Sequence, residues 1–132
     1  MDPQKFCVYN RNRESFLSLS VTVADTTLEK LKSLIEQLAV TADSGLWMTP
    51  YRGVPAVRGL SPIDLVYLDE DYRILQLVES YPTAHIEPLT TPASSVIALP
   101  AHSIQTSHSQ PGDLLVICVA EEMENGAMEL MP

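Results

Sequence analysis

The chain has 132 residues, 45% of them hydrophobic and 19% charged, with a formal net charge of −9 and a pI near 4.6. That length suits one domain able to bury roughly two thirds of its unfolded surface, and the apolar content excludes an intrinsically disordered chain. The acidic balance excludes nonspecific capture of nucleic acid or anionic membrane, and no apolar run reaches the ~20 residues of a membrane span.

The first residues, MDPQKFCVYNRNRE, contain no apolar stretch of the signal-peptide kind, so a cytoplasmic setting is expected. Residues 6–10 (FCVYN) read as a short strand and Arg11 to Glu14 as a charged turn. From Phe16 to Ala24 the residues alternate, with Leu17, Leu19, Val21 and Val23 expected on one side of a half-buried strand. Thr26 and Glu29 then fit a capping box. Leu28, Leu31, Leu34, Ile35 and Leu38 follow on one face of an amphipathic helix expected over 27–39.

Residues 42–45 make a turn into the short strand Leu46-Trp47-Met48. The irregular segment 49–61 (TPYRGVPAVRGLS) carries Tyr51, Arg52 and Arg58. Loops on a rigid scaffold concentrate binding residues, which makes it the first place to look for a site. Two apolar runs, Ile63 to Leu68 and Ile74 to Val78, flank the acidic turn Asp69-Glu70-Asp71 and predict a hairpin within 60–81 covered on both faces. Residues 82–92 are extended and proline-rich, 94–99 form a strand, and 100–109 are a polar stretch. The turn Pro111-Gly112-Asp113 leads into a buried strand over 114–119. Residues 1–120 are expected to form one globular domain, and 121–132 an acidic, frayed tail.

These residues resemble the prokaryotic domain of unknown function 192 over roughly residues 20–118. Val23-Ala24-Asp25-Thr26 is similar to that family's lead into its helix, and Gly45-Leu46-Trp47-Met48 to its Gly-Met-Leu-Phe strand. Pro62-Ile63-Asp64 matches its Pro-Leu-Asp signature, Leu68-Asp69-Glu70-Asp71 its hairpin turn, and Val96, Leu99, Pro100 and Gly112-Asp113 its closing strands. Elsewhere the chain departs. Ser33-Leu34-Ile35-Glu36-Gln37 stands in place of Gly-Leu-Met-Phe-Arg, and the family's Trp-Met-Lys-Asn-Thr segment has no counterpart. Ala98 and His102 replace a Glu and a Gly. Tyr72 replaces a turn glycine, at a cost on the order of 1 kcal/mol if its backbone is left-handed. The resemblance implies a mainly β (α+β) fold: a small sandwich or barrel-like antiparallel sheet with one amphipathic helix packed on it. It implies no activity.

Asp64 alternates with Val66 and Leu68, so its carboxylate points toward an apolar layer and must be held by amide donors or a cation. The expected donors are amides of the 49–61 loop, with Arg58 folding back as cation. A catalytic role for Asp64 lacks an acid–base partner in the sequence. Trp47 could form a stacking platform for a ligand, but between Leu46 and Met48 it reads first as core. Tyr51, Arg52 and Arg58 could bind an anion or a partner's carboxylates; their plainer role is to neutralise the protein's own acidic surface. His85, His102 and His108 lack metal-ligand spacing, even with Glu87 near, and no phosphate-cradling loop or nucleophile elbow is present. Cys7 and Cys118 lie in apolar runs far apart, without CxxC spacing, and are expected as two buried thiols rather than a disulfide joining terminal strands.

No cofactor, metal or catalytic residue is therefore expected. The candidate binding residues are Trp47, Tyr51, Arg52, Arg58 and Asp64, serving a noncatalytic module for an unknown protein or small-molecule ligand. Homo-oligomerisation is left open. The alternative is an enzyme or carbohydrate-processing accessory that uses Asp64 with Arg58 in a shallow cleft.

Overall fold

The computed structural model describes residues 4–39, 44–54, 62–81 and 92–119. In chain order these form β1 (Lys5–Asn10), β2 (Ser15–Ala24), α1 (Leu28–Ala39), β3 (Gly45–Met48), β4 (Ile63–Leu68), β5 (Ile74–Tyr81), β6 (Ser95–Pro100), α2 (Ser103–Ser107) and β7 (Leu115–Val119). The seven strands make one sheet in the order β5-β4-β6-β3-β2-β1-β7. Its two edge strands meet at one end. Leu115 N donates to Tyr72 O at 2.9 Å, Gly112 N to Ile74 O at 2.8 Å, and Ile74 N to Asp113 O at 2.8 Å. The sheet therefore curls into a half-barrel stitched at one end.

The mainly β, barrel-like expectation holds, with two refinements. The sheet is mixed: β2 and β3 run parallel while every other ladder is antiparallel. Parallel neighbours need a long crossover, and α1 supplies it. A second helix, α2, lies within the stretch read as polar loop.

Helix α1 begins one residue later than the capping box implies. Thr27, rather than Thr26, is the cap: its Oγ1 accepts the Lys30 amide at 3.3 Å, and its carbonyl accepts Leu31 N at 2.9 Å. Leu31 and Ile35 are buried and Leu34 packs beside them. The side chains of Leu28 and Leu38 lie outside the described residues.

Each face of the sheet carries its own core. On the outer face, Leu31 and Ile35 of α1 meet Leu46, Met48, Ile63, Leu65, Tyr67, Val78, Tyr81, Val96 and Ala98. On the inner face, Ile104 of α2 meets Val8, Leu17, Val21, Trp47, Val66, Leu68, Ile74, Ile97, Leu99 and Leu115. Strand β4 is buried along its whole length because it sits between these layers. That accounts for its apolar run, broken only by Asp64.

Strand β2 departs from plain alternation. Its register with β1 slips between the Phe6 and Val8 positions and again between Val8 and Tyr9. The bulges fall between Phe16 and Val21 and re-aim the side chains there, so Leu19 is 61% exposed while Leu17 and Val21 are buried. Val23 lies beyond them in unbroken register and is 38% exposed, so the four are not all buried as the alternation implied.

Candidate functional site

Asp64 is fully buried on the inner face of β4. The pairing of Ile63 with Tyr81 and of Leu65 with Val78 leaves Asp64 opposite two β5 residues, Glu79 and Ser80, a bulge. Ser80 sits there at φ 58. Its amide, turned away from the ladder, donates to Asp64 Oδ1 at 3.1 Å. The other oxygen, Oδ2, accepts Ile104 N at 3.0 Å, at the first turn of α2. The chain thus solves the buried charge with amides, as expected, but from other places. The donors come from β5 and α2 rather than from 49–54, and Arg58 lies outside the described residues. One carboxylate satisfies a bulge and the start of a helix whose N-cap residue, His102, gives no side-chain bond.

Trp47 is also on the inner face, and it is core. Phe6 meets its ring edge-on at 6.0 Å between centroids and Tyr72 at 5.5 Å, so neither neighbour leaves the indole as an open stacking platform. Its Nε1 is buried without a protein partner among the described residues. Tyr72, where the family keeps glycine, has a left-handed backbone at φ 67, so the conditional cost set out for it applies. His102, the other glycine replacement, has φ 75.

Tyr51 belongs to the opposite side of the sheet. Tyr51 packs into the outer core, 5.8 Å edge-on from Tyr67. Burial, with Tyr51 and Tyr81 alongside, pushes the Tyr67 hydroxyl up to about 12. Arg52 pairs with Asp25 at 3.1 Å, both side chains largely in solvent. The described candidates therefore do not converge: Trp47 and Asp64 face inward, whereas Tyr51 packs on the outer layer. His85 and Glu87 lie outside the described residues, and the described ones contain no group of three or more His, Cys, Asp or Glu placed to hold a metal.

Two features escaped the sequence reading. The first is a buried polar knot. Asn10 Nδ2 donates to Ser109 Oγ and to Asp113 Oδ2, both at 3.0 Å, while Asn10 Oδ1 accepts the amides of Asn12 and Arg13. Arg13 grips Asp113 through Nε at 2.9 Å and through its terminal nitrogen at 3.3 Å. Burial by itself would raise the Asp113 pKa. The hydrogen bonds from Arg13, Asn10 and the Gln110 amide, with the Arg13 charge, outweigh it and hold Asp113 below its ordinary value. The knot welds the β1–β2 turn to the α2–β7 connection. A polar Asn closing an otherwise apolar FCVYN run was the available signal.

The second is a cleft of about 440 Å³ between β2 and α2, lined by Leu17, Ser18, Leu19, Pro100, Ala101, Ser103 and Thr106. Two of its hydroxyls are engaged within the protein. Ser103 Oγ donates to Pro100 O at 2.6 Å, and Ser18 Oγ accepts the Ser20 amide at 3.2 Å. The cleft offers apolar contact more than polar recognition.

A curled mixed half-barrel with a helix on each face, welded by a buried polar knot, defines a small mainly β domain. The chain belongs to the DUF192 family, described as uncharacterized ACR, whose profile matches residues 8–117. No curated protein matches the chain. Two crystal structures share the fold. A putative transcription regulator from Sinorhizobium meliloti 1021 is 18% identical, with a TM-score of 0.59 covering 86% of this chain and 92% of that one. A protein of unknown function from Novosphingobium aromaticivorans DSM 12444 is 17% identical, with a TM-score of 0.63 covering 85% and 83%. At such identities the likeness is one of fold. Among the described residues no helix is long and apolar enough to cross a membrane.

Proposed function

We propose that this domain is a noncatalytic binding module, and that it takes an apolar side chain of a partner protein in the cleft between β2 and α2. The observation that carries this reading is Leu19, 61% exposed on the wall of that cleft. A bulge holds it out where plain alternation would bury it. The cleft volume falls within the range of about 300–1,000 Å³ usual for ligand sites. Its apolar lining and engaged hydroxyls suit a leucine, isoleucine or methionine side chain better than a sugar or nucleotide. A net charge of −9 favours a partner with basic residues around that anchor.

The alternative, a catalytic Asp64, draws no support from its surroundings. The carboxylate is fully buried and each oxygen already accepts a backbone amide. A cytoplasmic setting accords with the two cysteines as thiols.

The test is an NMR titration with short peptides that carry one leucine between lysines. Shifts should gather on residues 17–19 and 100–106, and Leu19→Glu should abolish them while leaving the melting temperature unchanged. Shifts elsewhere, or peptide binding indifferent to Leu19→Glu, would overturn the reading.

A further inference from the structure

Cys7 and Cys118 are separated by almost the whole described chain, yet they are direct cross-strand partners in the antiparallel β1–β7 ladder. Their side chains share a face. Phe6 and Val8 pack on the inner core, as does Ile117, so strand alternation turns Cys7 and Cys118 together to the other side. Opposed residues in such a ladder have Cα atoms about 4.5 or 5.5 Å apart, and both values fall inside the span of about 4.4–6.8 Å that a disulfide bridges. Both cysteines are thiols here, Cys7 buried at 4% exposure and Cys118 partly exposed.

We propose that Cys118 is a thiol-modification site and that Cys7 is its resolving partner, so that a small-molecule disulfide such as oxidised glutathione closes a reversible Cys7–Cys118 bond. Exposure sets the order of events. The Cys118 thiolate attacks one sulfur of the small disulfide, expels one glutathione thiolate and becomes a mixed disulfide. Cys7 then loses its proton, attacks the Cys118 sulfur and expels the second glutathione thiolate. The two protein thiols give up two electrons and two protons, and the small disulfide is reduced to two thiols. Before closure the Cys7 thiol donates to Leu19 O at 3.7 Å, and that weak bond is lost when the sulfur is oxidised.

The bond acts where the sheet is least supported. Strand β7 is an edge strand; backbone bonds to Tyr72 and Arg11 secure its start, while the rest of it ladders with β1 alone. Closure would therefore pin the outer half of β7 to β1. Because the bond closes a loop spanning most of the chain, the denatured ensemble is also constrained.

The experiment incubates the full chain with oxidised glutathione and reads intact mass, peptide maps and melting. The expected product is a monomer lighter by two hydrogens, with the Cys7 and Cys118 peptides linked and a Tm higher by about 5 °C or more. The Ser20 amide resonance should move as the Leu19 carbonyl loses its donor. Reduced glutathione should reverse all of it. Cys7→Ser should stop at a stable glutathione adduct on Cys118, whereas Cys118→Ser should leave Cys7 unmodified in the native state. Adducts without the internal bond in the parent chain, a disulfide-linked dimer, no reaction, or a bond that reduced glutathione cannot reopen would each overturn the proposal.

Discussion

Ser80 N donates to Asp64 Oδ1 at 3.1 Å at the point where β5 holds one residue more than β4. The relationship explains two irregularities together. A bulge leaves an amide that the ladder does not use, and a buried carboxylate needs donors; each supplies what the other lacks. Ile104 N completes the arrangement at 3.0 Å and ties α2 into the same carboxylate.

Asp64→Asn should therefore destabilise the protein. The amide can accept from only one of the two N–H groups and turns its own NH₂ toward the other. The expected loss is about 1–3 kcal/mol for a buried donor left unsatisfied, read from urea melts. A variant that melts above the parent would mean the carboxylate is a strained functional group rather than an anchor.

At Gly45 the constraint is space. An added Cβ would lie 2.8 Å from Leu99 Cδ2 and 2.8 Å from Val21 Cγ2, both in the inner core. Val21 is β-branched and has little rotamer freedom with which to yield. Gly45→Ala should cost about 1–3 kcal/mol by overpacking. A melting curve superimposable on the parent's would show that β3 can slide to make room.

His102 offers the opposite case. It is exposed, sits at φ 75 and gives α2 no side-chain cap, so only its backbone is used. Glycine there removes the left-handed penalty at some entropic cost, and His102→Gly should stabilise by up to about 1 kcal/mol. A drop in Tm would reveal an unseen role for the imidazole.

Asp113 sets an acid limit on stability. Its folded pKa is lowered, so its contribution is full above the ordinary unfolded value of about 3.9 and disappears as pH falls through the lower folded value. Parent and Asp113→Asn should differ most near neutrality and converge as pH falls through the lowered folded value. Thermal melts across that range decide it; a gap that widens toward acid would mean the ion pair with Arg13 is not what stabilises the knot.

Much of the frame was legible because it repeats at short range. The leucine spacing marked α1, and two apolar runs around Asp69 to Asp71 marked the β4–β5 hairpin. What escaped is set by distance or brevity. The five residues of α2 (SIQTS) are too few to show a helical period. The bulges in β2 that expose Leu19 depend on how β1 pairs with it. Asp64 was recognised as needing donors, but one of them is forty positions away and no local pattern could name it. The knot links Asn10 to Asp113 across most of the chain, and only the closing of the sheet brings them together. Arg58 falls outside the described residues.

Strand β1 lies between β2 and β7, with Phe6 opposite both Val21 and Val119. On the ribosome its first neighbour emerges almost at once, while the second is synthesised only after every other described element. For that interval one backbone edge of β1 stays unladdered and Asn10 lacks Ser109 and Asp113. From the synthesis of β1 until that of β7 the nascent chain thus carries an open seam, the period in which a chaperone that recognises bare strand edges would find it.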